Sequence, residues 1–401
     1  MRVLAAIALV MVVACSGCAA GITGVPGSIT DRTAGVGGSV VSDADGQVEY
    51  WAEYGTTTAY GSQTTHETVT VTKSTQTAIG AFLSGLERGT TYHYRICARD
   101  SSQRGGPGCG QDRRLTTQSF ACGETVTADV KLTSDVFCMT AVNPGIVIGA
   151  DGIDVNLAGH TMFGLAPGSG GIDNTGGFDD LTVRNGSVSQ IEVAGASRNH
   201  LTHMDGTVHL TGGEGNEIRQ GGVVVDARDT AGLVVADLTS NAILVTGDGA
   251  RIVRNDVTSG TCSRTLCSPY GISVDGDGNR VVDNEVRDAF GANVVVAGGA
   301  GNVVSGNLMV DGTARIDGPG DGLLVGSGAV DTVLRGNDSD SNEDDGFDVR
   351  SPSTRMREND AVGNGDWGID ATPGVTDIGG NRASNNGQAA QCRGVFCTPF
   401  F

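Results

Sequence analysis

The chain of 401 residues holds 64 glycines and nine prolines, with aromatics at 4 % and hydrophobics at 38 %. Without a three-residue glycine period this composition excludes collagen, and a chain of this length exceeds one ordinary core, so two domains are expected. The formal net charge of −20 argues against nucleic acid and anionic membrane surfaces as partners.

At the start, Arg2 precedes an unbroken apolar run from Val3 to Ala14. Such a run is shorter than the roughly 20 residues a bilayer span needs, and it reads as a secretory leader over residues 1–20. Small residues lead into Cys15 (Val-Val-Ala-Cys) and Cys18 (Cys-Ser-Gly-Cys), and both resemble a bacterial lipobox. The resemblance implies lipidation of Cys18 or Cys15, with ordinary cleavage near Ala20 as the alternative. The chain is then an exported bacterial protein, a cell-surface lipoprotein or a secreted one, touching membrane only through that anchor.

Residues 25–118 are nearly neutral and alternate with period two in Val48–Tyr54, Thr68–Thr72 and Thr91–Cys97. The pattern predicts an antiparallel β-sandwich. The run Leu83-Ser84-Gly85-Leu86-Glu87-Arg88-Gly89-Thr90-Thr91-Tyr92 resembles the tyrosine corner of fibronectin type III domains, and Tyr54-Gly55-Thr56-Thr57-Thr58-Ala59-Tyr60-Gly61 is a phrase they share. The resemblance implies a spacer or adhesive module.

Eight cysteines follow Cys18 in close couples: Cys97/Cys109, Cys122/Cys138, Cys262/Cys267 and Cys392/Cys397. In an exported chain such couples read as disulfides. Zinc is disfavoured, because no couple meets a second one at ligand spacing.

Residues 119–401 carry the whole net charge and an internal repeat. Asn255, Asn284, Asn307, Asn337, Asn359 and Asn381 recur at 29, 23, 30, 22 and 22 residues, the first three after β-branched runs such as Ile252-Val253 and Val281-Val282, and looser copies centre on Asn156, Asn185, Asp205, Gln220 and Asp237. Units this short must stack to bury a core. The stack predicts parallel strands about 4.8 Å apart, with glycine or asparagine at tight bends and a ladder of asparagine amides from coil to coil. The segment resembles the right-handed parallel β-helix repeat family, which includes NosD-like periplasmic copper-binding proteins and many polysaccharide lyases, hydrolases and epimerases. The resemblance implies an all-β chain: a sandwich followed by a pectin-lyase-like β-helix of about 11–12 coils. It places an entry cap over about 119–145, a first full coil at Asp151–Thr161, and an exit with a disulfide loop over about 388–401.

Chemistry, if present, is expected on the last coils. Their strands open on glycine at Gly271, Gly322, Gly346 and Gly368, and acidic residues crowd between 317 and 370. Repeat spacing stacks Asp348 on Asp370, Asp344 on Asp366, and Asp321 in one column with Asp345. If Phe347 and Ile369 point inward, these aspartates form an external acidic face. Three readings compete: a solvated face, calcium on Asp321, Asp345, Asp348 and Asp370, or general acid and base work by Asp344, Asp348, Asp366 and Asp370. Trp367 beside the face could stack on a sugar, and Arg350 is the nearby cation.

The motifs of polygalacturonases, pectate lyases and mannuronan epimerases are absent; only Asp179-Asp180 is reminiscent of them. His200, His203 and His209 invite a copper or zinc reading, and Asp275-Gly276-Asp277-Gly278-Asn279 resembles the start of a calcium loop. Both patterns also suit ordinary turns. The sequence therefore points to a monomeric exported protein binding glycan or another extracellular ligand. A polysaccharide lyase or glycoside hydrolase, and a non-catalytic surface rod, are the alternatives. No cofactor beyond calcium is expected.

Overall fold

The computed structural model describes residues 18–101, 106–138, 144–165, 169–259, 268–314 and 319–399. Cys15 and the expected Cys262–Cys267 disulfide lie outside them. All regular structure among the described residues is β, and the chain divides into two compact units at Ala121/Cys122.

The first unit is built from antiparallel pairs. Gly46–Gly55 runs against Thr91–Asp100, with Trp51 opposite Cys97 and Tyr54 opposite Tyr94. Alternation buries Tyr92, Tyr94 and Ile96 with Leu83, Leu86 and Leu115, while Val40, Val48 and Tyr50 fill a second cluster. The Tyr92 hydroxyl accepts the Glu87 amide N–H at 3.0 Å, the bond of a tyrosine corner. The disulfide Cys97–Cys109 joins neighbouring strands.

This unit starts earlier than residue 25. Its first strand is Ala19–Ile29, paired with Thr33–Ser42, and Ala19 is buried in the second cluster. Glycines hide that strand from a propensity reading; at Gly21 a Cβ would sit 2.3 Å from the Ile96 carbonyl oxygen. A leader ending at residue 20 would cut into this strand. Cys18, at the head of this strand, is disulfide-bonded.

The second unit is a parallel stack in which each strand pairs with its counterpart one coil on. One inward column runs through Glu124, Ile146, Ile172, Ile191, Val208, Val225, Ile243, Ile272, Val294, Leu323, Phe347, Ile369 and Cys392. From Ile146 to Ile369 every member is essentially buried. Coils tighten in the middle, where the long strands Thr182–Ala194, His200–Thr211 and Glu217–Ala231 turn corners without a break. Disulfides Cys122–Cys138 and Cys392–Cys397 close the first and last turns.

The expected asparagine ladder forms. Asn255, Asn284, Asn307, Asn337 and Asn359 each donate their amide to the side-chain oxygen of the next, at 2.8–3.0 Å, and the ladder ends on Asn381. The backbone N–H of each also donates to that same oxygen. The residue before each asparagine has positive φ, whether glycine (Gly306, Gly336, Gly380) or not (Arg254, Asp283, Glu358). For an L-residue that conformation costs about 1–2 kcal/mol, which the ladder bonds offset.

Asn307→Ala should therefore lower the unfolding free energy of the second unit by about 2–4 kcal/mol, because Asn284 loses its acceptor in a dry site. Urea unfolding measures this, with the first unit's transition unmoved.

Candidate functional site

Three short strands, Leu323–Val330, Phe347–Val349 and Ile369–Ala371, stack in register at the late coils. Phe347 and Ile369 fill the core, so alternation turns Asp348 and Asp370 to the outside as partners in adjacent coils. Glycine precedes each strand for want of room: a Cβ on Gly322 would lie 1.9 Å from Ser339 Oγ, and one on Gly346 2.5 Å from the Gly368 carbonyl oxygen. Under these glycines runs a second ladder, Asn342 to Asn364 to Asn386, that the sequence did not reveal.

One position earlier sit Asp321, Asp345 and Trp367. The Asp345 N–H donates to Asp321 Oδ1 at 3.2 Å and the Trp367 N–H to Asp345 Oδ1 at 2.8 Å, so each carboxylate caps the next coil. This capping draws the side chains down. Asp321 is 0 % exposed, Asp345 7 % and Asp348 8 %, which corrects the expectation of an external, solvated face: the centre of the cluster is sunken.

Carboxylate oxygens of Asp321, Asp345 and Asp348 lie within 4.8 Å of one another, and those of Asp344, Asp345 and Asp366 form a second such group. Oδ2 of Asp321 is buried with no hydrogen-bond partner among the described residues. Burial, then the Asp348 charge, pushes the Asp321 carboxyl up to about 8. Burial likewise lifts Asp345 to about 7, and burial with Asp366 raises Asp344. Arg350 donates to Asp348 from Nε at 2.7 Å and Nη2 at 2.5 Å.

The expected residues thus separate. Asp321, Asp345 and Asp348 come together, while Asp370 is ion-paired to Arg393 and Asp366 accepts from Gln388. The Arg393 guanidinium also lies 5.4 Å from the Trp367 ring centroid, occupying one face of the ring. Arg393 and Gln388 were legible only as repeat positions: Arg393 stands one coil beyond Asp370 in the outward column.

The other candidates disperse. His200, His203 and His209 face Glu217, Thr202 and Asp226 respectively and form no common ligand group among the described residues. Asp277 accepts the Ala300 N–H of the following coil, as Asp248 accepts that of Asp277, and Asp179 and Asp180 pair with Arg198. The Glu53–Cys97–Cys109 group is void as a metal site because both cysteines are oxidised. An unexpected titratable column, Asp173, Glu192, His209 and Asp226, lies further up the same outward face.

Two ligands on opposite sides of a calcium ion at 2.3–2.6 Å are at most about 5 Å apart, so the Asp321–Asp345–Asp348 group fits a hard cation. With Arg350 as its close counter-charge, the same group is otherwise repulsive.

A model of the right-handed β-helix region matches residues 241–397, and the fold of the second unit is that of a right-handed parallel β-helix. Among solved structures the chain is similar to a periplasmic alginate epimerase, AlgG, at 14 % identity over 68 % of this chain and 85 % of that one, with a TM-score of 0.37. It is similar to the pectate lyase PelI of Erwinia chrysanthemi in complex with tetragalacturonic acid at 12 % identity, over 84 % and 85 % of the two chains, with a TM-score of 0.16. The sensor domain of the anti-sigma factor RsgI4 of Pseudobacteroides cellulosolvens gives 14 % identity over 26 % and 97 %, with a TM-score of 0.18. No curated protein matches. Likenesses this remote carry nothing about the chemistry of this chain.

A carboxyl whose folded pKa is raised loses stability as pH climbs from its unfolded value through the folded one. With chelator present, the melting temperature should therefore fall between pH 5 and pH 8 as Asp345 and Asp321 ionise. Asp321→Asn should flatten that slope and gain roughly 2 kcal/mol at pH 8, as a thermal melt series would show.

Proposed function

We propose that this chain is an exported carbohydrate-binding β-helix protein whose ligand seat is a calcium ion held by Asp321, Asp345 and Asp348. The first unit serves as a fibronectin type III-like spacer behind an N-terminal leader or a lipid anchor at Cys18 or Cys15, and the protein works as a monomer. The observation that carries the seat is the orphaned Asp321 Oδ2, buried among two other carboxylates. A buried charge without a partner is costly, and a divalent cation removes the cost and the mutual repulsion together. Calcium takes six to eight oxygens. Positions not filled by the three aspartates are open to Asp344 and to hydroxyl or carboxylate oxygens of a sugar. The half-covered Trp367 ring then borders the ligand as an apolar rim. Disulfides in both units suit an oxidising compartment outside the cytoplasm.

One observation favours a second reading, a polysaccharide-active enzyme. Asp344 is only partly buried, yet burial and Asp366 raise its carboxyl, the attributes of a general acid. Asp348, Asp366 and Asp370 are each engaged by a side-chain donor, which suits them less.

Calorimetric titration of the chelated chain with calcium should show one saturable site and a raised melting temperature. Asp321→Asn and Asp345→Asn should abolish both while the chain stays folded. A melting temperature indifferent to chelator removes the calcium seat. On a glycan array binding should require calcium; product release that is lost in Asp344→Asn would establish the enzyme instead.

A further inference from the structure

A different sheet of the β-helix carries the opposite charge. Its strands are Arg251–Val253, Arg280–Val282, Val303–Ser305, Val333–Arg335 and Arg355–Arg357. The middle residues Val281, Val304, Leu334 and Met356 are buried in the core, so the first and third residues of each strand face outward. One outward column reads Arg251, Arg280, Val303, Val333, Arg355; the other reads Val253, Val282, Ser305, Arg335, Arg357. Small residues at Ser305, Gly306 and Gly336 lower the surface between the arginines, leaving an open groove of about 610 Å3. That is the size of an ordinary ligand cleft.

Four arginines line it, Arg280, Arg335, Arg355 and Arg357, against two acids, Asp283 and Glu358. Glu358 reaches Arg335 at 3.5 Å and Arg357 at 4.0 Å, both long contacts. The guanidinium groups of Arg280 and Arg355 have no ion pair or side-chain hydrogen bond among the described residues, and neither has that of Arg251 beyond the groove. On a chain of net charge −20, most of whose other arginines are tied to aspartate or glutamate, a row of unengaged guanidiniums is a binding surface for anions.

We propose that this groove binds an acidic polysaccharide, one bearing carboxylate or sulfate groups along a linear chain. The floor alternates in character along the coils: Val303 and Val333 lie between Arg280 and Arg355, with exposed Ile378 at the rim. Sugar rings have an apolar C–H face and charged edges, and both halves of that pattern meet a counterpart here. Guanidinium forks take carboxylate or sulfate oxygens two at a time. From Arg280 to Arg355 the column advances three coils, about 14 Å, so one bound segment spans several rings. Nucleic acid matches less well, because duplex DNA packs one charge into every 1.7 Å or so and the acidic remainder of the chain repels it. The site is independent of the calcium seat: it lies on another sheet and needs no metal.

The test is made in excess chelator, where the calcium seat is silent. Full-length chain is titrated with polygalacturonate and with dextran sulfate, neutral dextran serving as the uncharged control and single-stranded DNA as a second polyanion. Binding of an acidic polysaccharide is expected, weakening steeply with salt, with neutral dextran ignored. Arg280→Gln/Arg355→Gln should weaken it at least tenfold while the melting temperature and the calcium response stay unchanged. Asp321→Asn should leave it intact. Failure of both acidic polysaccharides to bind, equal binding by the double variant, or DNA binding as tight as the polysaccharide would overturn the proposal. None of these outcomes touches the calcium reading, which fails only on its own titration.

Discussion

Everything in the second unit depends on one constraint: a residue in one coil lies directly over its counterpart in the next, at the strand spacing of about 4.8 Å. Apolar residues under that rule make a continuous column, as from Ile146 to Ile369. Asparagines under it make a ladder, because an amide is donor and acceptor at once and can repeat without limit. Charged residues meet the same rule with the opposite result. Repetition of aspartate at Asp348 and Asp370 brings like charges together, and the chain answers with Arg350 and Arg393 on those two carboxylates.

The acidic seat and the arginine groove are thus two outcomes of one geometry. Where carboxylates stack and sink, at Asp321 and Asp345, the geometry offers the cation seat proposed above. Where arginines stack and remain exposed, at Arg251 and Arg280, it offers the proposed seat for an anion. Opposite charges on different sheets stay apart because the core column lies between them, so the strongly negative total conceals a positive surface.

Most of the β-helix was legible in the sequence because stacking writes itself as periodicity: residue spacing alone discloses the ladder from Asn255 to Asn381 and the pairing of Asp348 with Asp370. What escaped reading was masked by its local setting. Asn342, Asn364 and Asn386 repeat as regularly as the end of the first ladder, but each sits in a polar turn such as Gly363-Asn364-Gly365 or Asn385-Asn386-Gly387, where asparagine is expected for local reasons. The depth of Asp321 is a matter of capping hydrogen bonds, which spacing does not encode. Arg393 lies where the repeat has dissolved into the disulfide loop. In the first unit the strand Ala19–Ile29 was obscured by glycines chosen for close approach and by its overlap with leader-like sequence, whereas the Tyr92 corner was visible because its motif is local.

The ladder also decides where the chain is free to vary. From Val281 to Val286, Val304 to Met309, Leu334 to Ser339 and Met356 to Ala361 the step is constant, since the turn between must deliver an asparagine to the same spot. The step from Val286 to Val294 is much shorter than that from Met309 to Leu323. Insertions are therefore absorbed at the turn entering the sheet that carries Asp348, which is also the turn that holds Asp321, Asp344 and Asp345. The length of that turn can therefore change from coil to coil while the stack beneath it keeps its register, so the surface it carries and the core it covers are set by separate parts of each coil.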